Sequence, residues 1–344
     1  MSRGKAAALF AAGAVLSACG DSSTHVSTPT GSTAGATRPA PATSTAPGPS
    51  SSPTTSLLVK TATHLPLGIS RTVVLVSGTH LLALGGLAAG DTTTGRIWSI
   101  DTTTLAAHQV GTLATAVHDA SGAELGGNAV VFGGGSASTV AVVQAWNGRR
   151  TSAVGSLPQP RSDSAATTVG ATAFVVGGFT GHGMARDVLA TTDGKTFRAV
   201  GRLRIGVRYP AVAAVGRYIY VVGGELATTE GTLAGGQTDA VQRIDRETGQ
   251  VQVIGHLGRG LGHATAFALG NRLFVAGGRH GAAATADIIE VDLHNGGSHR
   301  VGRLPRPMSD AAAAVMGSIG WLVGGETSGP AAPVDTVLTV RLRG

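Results

Sequence analysis

The chain is expected to fold as an all-β propeller of six four-stranded antiparallel blades, closed into a ring by its own N-terminal strand. Six Gly-Gly doublets that follow apolar runs, beginning at Gly85, Gly133, Gly177, Gly223, Gly277 and Gly324, recur at intervals of 48, 44, 46, 54 and 47 residues. Each ends an apolar run such as Ala173–Val176, and a period of this length built from short strands marks propeller blades. A Gly-x-Leu tripeptide follows the first five doublets, at Gly111, Gly155, Gly201, Gly255 and Gly302. None follows the sixth, but Thr63-His64-Leu65-Pro66 precedes the first. The segment Leu57–Leu65 therefore supplies the strand that the last repeat lacks, which removes exposed sheet edges.

The elements follow in order. Arg3 and Lys5 precede a short apolar run, Ala6–Val15, which ends in Leu16-Ser17-Ala18-Cys19. This reads as a cleaved leader over 1–18 rather than a spanning helix. The final tetrapeptide resembles the lipobox of bacterial lipoproteins, which implies acylation of Cys19 and attachment to the extracytoplasmic side of the bacterial cell membrane. Two or more acyl chains would make that attachment stable. A plain secretory leader is the alternative. Cys19 is the single cysteine, so disulfides, cysteine-based metal sites and thiol nucleophiles are excluded.

Residues 19–56 form the lipidated cysteine and a Ser/Thr/Pro/Ala-rich tether. Such a composition cannot bury enough apolar area to offset the entropy of ordering. As a flexible coil it would reach about 35 Å. The remaining 288 residues, 57–344, divide into six blades of 48. Loss of Arg3 and Lys5 lowers the formal charge from +7 to +5. That excess suits anionic envelope polymers or lipid headgroups, and equally suits simple solubility. No Lys/Arg run or basic-aromatic interleaving points to nucleic acid.

The third repeat is the clearest. Ser164–Val169 reads as an inner strand of small residues, Thr172–Val176 as an apolar second strand, and Asp187–Thr191 as the third. Thr192–Lys195 is an Asp-Gly hairpin turn, and Thr196–Val200 the outer strand. Asp101, Asp245 and Asp292 stand at turns equivalent to that of Asp193, a local capping role.

A Gly-Gly doublet after a β run, an Asp-containing turn, an outer strand and then Leu-Pro, as in Leu157–Arg161 and Leu304–Pro307, resembles the kelch repeat. The resemblance covers 57–344. It departs from the family in aromatics: Tyr220 alone approximates the usual tyrosine before a doublet, and Phe197 stands where an outer-strand tryptophan is usual. Trp98, Trp146 and Trp321 lie elsewhere, and 226–238 is an insertion.

The resemblance implies that loops entering the inner strands and loops following the doublets share one mouth of the central channel. Fourteen residues before the doublets stand Arg71, Asp119, Asp163, Tyr209, His263 and Asp310, with His118, Ser162, Arg208 and Ser309 just before four of them. Convergent polar groups in a concavity suit a ligand site; the same side chains also suit capping of the inner strands. Among the post-doublet residues, Arg279 is a candidate carboxylate clamp and Glu225 and Glu326 are candidate acids or bases; exposed loop charges are the alternative reading of all three. Loops 226–238 and 327–333 would rim the mouth. The histidines His256, His263, His280, His294 and His299 lack ligand spacing, so no metal and no cofactor is expected. Gly258–Gly262 is read as a flexible connection rather than a phosphate cradle.

Three readings of function remain. In the first, the propeller is a non-catalytic, envelope-anchored module that binds a glycan or protein at its mouth. In the second, it is a sugar-modifying enzyme; the resemblance extends to kelch enzymes of the sialic-acid mutarotase type, which need only acid/base groups and an arginine. Galactose-oxidase-like copper chemistry needs a Tyr-Cys cofactor, for which no cysteine remains. A structural partner with no small ligand is a third.

Overall fold

A computed structural model describes residues 56–227, 236–327 and 332–343. The proposed leader, almost all of the proposed tether and the middles of both long mouth loops lie outside these residues. Six four-stranded antiparallel sheets stand in a ring, each in contact with the next through its innermost strand. Blade 1 runs through Val73–Ser77, His80–Leu84, Arg96–Asp101 and Ala107–Thr112. Blade 2 comprises Ser121–Leu125, Asn128–Phe132, Val142–Trp146 and Thr151–Ser156. Blade 3 comprises Ala165–Val169, Thr172–Val176, Asp187–Thr191 and Arg198–Arg202. Blade 4 comprises Ala211–Val215, Tyr218–Val222, Ala240–Asp245 and Val251–His256. Blade 5 comprises Thr265–Leu269, Arg272–Ala276, Asp287–Val291 and Ser298–Arg303. Blade 6 takes Ala312–Met316, Ile319–Val323 and Thr336–Leu342, and its outer strand is Leu57–His64, paired from Leu57↔Leu342 to His64↔Thr336. The ring thus closes as the sequence implies.

The doublets join each blade to the next. At Gly177 and Gly178 φ is 65° and 99°, in the left-handed region that only glycine enters freely. A Cβ on Gly177 would stand 2.7 Å from the Val207 carbonyl oxygen at the entry to blade 4. That same oxygen accepts a hydrogen bond from the Gly178 amide at 2.8 Å. The other five doublets repeat the bond, to the carbonyls of Val117, Arg161, Leu261, Met308 and Ile69. Side chains would hold the blades apart and break it.

These carbonyls belong to residues whose side chains are buried at the blade junctions. Five are apolar: Ile69, Val117, Val207, Leu261 and Met308; the sixth is Arg161, 3% exposed. One guanidinium nitrogen of Arg161 donates to the Asp187 carbonyl at 3.0 Å, whereas its Nε has no hydrogen-bond partner. Burial lowers its pKa to about 10. An under-satisfied buried cation is costly, and an apolar side chain of similar length is often better. Arg161→Met is expected to be neutral or to stabilise the propeller by about 1 kcal/mol, as measured by urea denaturation. A clear loss of stability would show that the guanidinium supports the junction.

The aspartate turns take the expected form. Asp193 Oδ1 accepts from the Lys195 and Thr196 amides, both at 2.8 Å, and Asp101, Asp245 and Asp292 do likewise in their blades. Asn147 fills the same role in blade 2. Two expectations need correction. The outer strand of blade 3 begins at Arg198, not Thr196. The capped turn extends through Thr196, and Phe197 packs edge-on against Phe132 with ring centroids 5.9 Å apart. The Gly-x-Leu glycines fall inside the outer strands, next to a register shift in each of blades 1 to 5. Gly258–Gly262 is not a loose connection: Leu261 is buried at the junction, Gly262 bridges Arg279, and His280 Nδ1 meets the Gly260 carbonyl at 2.6 Å.

Candidate functional site

The six residues set fourteen positions before the doublets form one ring of backbone. The amide of Asp119 donates to the carbonyl of Arg71, Asp163 to Asp119, Tyr209 to Asp163, His263 to Tyr209, Asp310 to His263, and Arg71 to Asp310. The circuit closes with bonds of 2.8 to 3.2 Å. All six residues have positive φ, between 50° and 58°. For a residue with a Cβ this conformation costs about 1–2 kcal/mol. Glycine would relieve the strain, yet six polar or amphipathic side chains occupy these places, and strain of this kind concentrates at functional sites.

A second layer lies against the ring. In every blade the residue before the ring position forms a β-bridge with the residue after the doublet: Ser70 with Leu87, His118 with Gly135, Ser162 with Phe179, Arg208 with Glu225, Gly262 with Arg279, and Ser309 with Glu326. This repeated bridge brings the two sets of candidate residues together. Because Leu87, Gly135 and Phe179 are uncharged, the post-doublet charges come from blades 4, 5 and 6, and the cup is lopsided.

Three arginines are clasped by acidic side chains, Arg208 and Arg279 by two each and Arg71 by three, with Asp310 Oδ1 at 4.0 Å from its Nε. Arg71 Nε donates to Glu326 Oε1 at 2.8 Å, and its Nη1 to Asp119 Oδ2 at 3.2 Å. Arg208 meets Glu225 at 2.7 Å and Asp163 at 3.6 Å. Arg279 Nη2 meets Glu326 Oε2 at 2.7 Å and Asp310 Oδ2 at 3.5 Å, while its Nε donates to Ser309 Oγ at 2.8 Å. Glu326 is fully buried and also accepts from Ser70 Oγ at 2.9 Å. Blades 1 and 4 face each other across the axis, so the 3.1 Å bond from Arg71 Nη1 to the Tyr209 hydroxyl spans the mouth. Tyr209 in turn donates to Asp119 Oδ2 at 3.2 Å. Beneath this layer the inner strands enclose a channel of about 890 Å3, lined mainly by valine, alanine and threonine.

His263 stacks on Tyr209, with ring centroids 3.9 Å apart, and lies between two carboxylates. Its Nδ1 is 2.6 Å from Asp310 and its Nε2 3.0 Å from Glu225. Burial works against a charged imidazole, but Asp310 and Glu225 outweigh it and lift the pKa to about 9. Burial likewise opposes ionisation of Asp310 and Glu225, yet His263 and the nearby arginines hold both below the usual range. Asp119 goes the other way: burial raises its pKa to about 8 despite Arg71, with Asp163 and Asp310 adding to the rise. Burial also raises Asp163, and it pushes the Tyr209 hydroxyl well above its ordinary value. His118, bonded to Thr93 Oγ1 at 2.8 Å, is lowered by burial and then by Arg71.

All the mouth candidates, together with Glu225 and Glu326, thus meet in one constellation. They differ in access. The side chains of Arg71, Arg208, Arg279, Glu225 and His118 are 14 to 22% exposed, whereas Asp119, Asp163, His263, Asp310 and Glu326 form a floor at 0 to 8%. Ser70 was not picked out from the sequence; its place one residue before Arg71, in line with Ser162 and Ser309, was the available signal. His256 pairs with Asp239 on the outer edge and takes no part. Among the described residues no group of three or more His, Asp or Glu side chains has metal-holding geometry.

The chain is similar in structure to YjhT, with a TM-score of 0.68 and 15% identity over 82% of this chain and 99% of that one. At that identity the likeness establishes the six-bladed propeller fold. No family model matches the chain, and no curated protein matches it in sequence.

Proposed function

We propose that the chain is a kelch-type binding module, held on the extracytoplasmic side of the membrane through Cys19, whose cup takes a hydroxyl-rich glycan. The carrying observation is the clasping of each mouth arginine by two or more acidic side chains. Such a cup offers fixed donors and acceptors side by side while its charges largely cancel. It suits neutral hydroxyls, whereas an anionic ligand would have to displace buried carboxylates. A protein partner is less well supported. Large apolar side chains exposed among the described residues are Leu67, Val253 and Leu342, scattered over the fold, without the aromatic cluster that anchors most protein interfaces.

The test is a thermal-shift screen of the mature chain against neutral and acidic glycans. Neutral oligosaccharides are expected to raise the melting temperature, with the shift growing as the logarithm of their excess over Kd. Glu225→Gln, which alters the most exposed carboxylate of the cup, is expected to weaken binding by about 1.5–3 kcal/mol. A flat response across the neutral panel sinks the glycan reading.

A sugar-modifying enzyme is the second reading, favoured by one observation: Asp119 is pushed up to about 8 while Glu225 and Asp310 are held down. Carboxyl groups driven apart in this way suit opposite roles in proton transfer. Glu225→Gln would then abolish turnover while ligand binding persists.

A further inference from the structure

The chain enters the propeller at the free end of blade 6, where Leu57 pairs with Leu342 and the Arg343 amide donates to the Ser56 carbonyl at 3.0 Å. Strands alternate in direction, so this corner lies with the hairpin turns that join third and outer strands, on the side away from the doublets and the cup. Three exposed cations gather there: Lys60, Arg341 and Arg343. Lys60 pairs with Thr339 and Leu58 with Arg341, so Lys60, Arg341 and Arg343 fall on one face of the two-stranded edge. None of them makes an ion pair among the described residues. Arg202, Arg300 and Arg303, on the outer strands of blades 3 and 5, each have a carboxylate within 3.6 Å, whereas the exposed Arg149, Arg150 and Arg198 make no ion pair among the described residues. Between Arg341 and Arg343 stands Leu342, itself 39% exposed.

We propose that this corner docks on the anionic phospholipid headgroups of the bilayer to which Cys19 attaches the chain, with blade 6 against the membrane and the cup turned away from it. The proposal rests on the reading of Cys19 as the anchored residue. Attachment keeps the corner near the bilayer, and cations near an anionic surface are attracted to it within a screening length. The corner is the place where attachment and uncompensated charge coincide.

The sequence provides an internal ruler. After removal of the leader only two lysines remain, Lys60 at the corner and Lys195. Lys195 is exposed in a turn of blade 3, across the ring from blade 6. The mature chain is coupled through Cys19 to a maleimide lipid in vesicles of phosphatidylcholine, with or without phosphatidylglycerol. Acetylation of the two lysines is then followed by mass spectrometry. On anionic vesicles Lys60 is expected to react about fivefold or more slowly relative to Lys195. The protection should vanish in about 1 M salt, where the screening length is about 3 Å, and should fall about fivefold for each cation removed in Arg341→Ser and Arg343→Ser. A Lys60 to Lys195 ratio that is the same on both vesicles overturns the proposal, as does equal protection of both lysines. Chemical coupling makes this result independent of acylation in the cell. The mass of the Cys19 peptide from a membrane fraction tests the anchor separately.

Discussion

Glu326→Ala is expected to be among the most damaging single substitutions in the cup, costing about 3–5 kcal/mol of stability. Glu326 is fully buried and accepts from Ser70, Arg71 and Arg279. Removing it leaves Arg71 and Arg279, whose side chains are only 14% and 19% exposed, with less compensation. For a domain of this size the loss corresponds to a fall of roughly 10 °C in Tm. Glu247→Ala supplies the contrast. Glu247 also touches two arginines, Arg217 and Arg246, but its side chain is 54% exposed, and exposed pairs contribute about 0–1 kcal/mol. Scanning calorimetry on both variants decides the matter: equal effects would mean that burial adds nothing to the clasp.

The second large effect is an alkaline loss of stability. His263 has its pKa raised to about 9, so its contribution is full below its unfolded value and disappears as pH rises through 9. Asp119, raised to about 8, has the same sign: the folded state favours its protonated form, and that preference is lost as pH rises toward 8. Glu225 and Asp310 act in the opposite sense. Their folded pKa values are lowered, so their contribution holds above their unfolded values and is lost in acid. The stability maximum should therefore lie in mildly acidic solution, with a loss of about 2–4 kcal/mol between pH 6 and 9. Asp119→Asn should flatten that limb, because an amide cannot ionise. Urea midpoints measured across pH test this, and stability that rises from pH 6 to 9 would refute it.

Much of the ring and part of the cup could be read from residues alone. The doublets carried the blade count because their reason is local: a left-handed backbone and a neighbouring carbonyl leave room only for glycine. The missing sixth Gly-x-Leu told which segment closes the ring. The fourteen-residue offset found Arg71, Asp119, Asp163, Tyr209, His263 and Asp310, because a sixfold repeat converts a sequence interval into a shared height on the axis. It could not give the pairing. Arg71 meets Tyr209 because blades 1 and 4 oppose each other across the mouth, and Glu326 serves arginines of blades 1 and 5. Those contacts depend on azimuth and side-chain length, which no interval records. Positive φ at the ring was announced only in part: aspartate and histidine, at Asp119, Asp163, His263 and Asp310, are enriched in that conformation, whereas Arg71 and Tyr209 give no such signal.

The pairing of Leu57–His64 with Thr336–Leu342 also sets a timetable. The first strand to leave the ribosome is among the last to find its partner, and no propeller exists until nearly the whole chain has been delivered. Until then blade 6 lacks its outer strand, the Ile69 carbonyl lacks Gly325, and the backbone circuit at the mouth lacks its final link from Arg71 to Asp310. Pairing at such separation is slow because loop closure must come before any contact rewards it. A chain crossing a membrane from its N-terminus would therefore keep its opening strand unengaged throughout the passage, and would lock into its ring only once the last blade had followed it out.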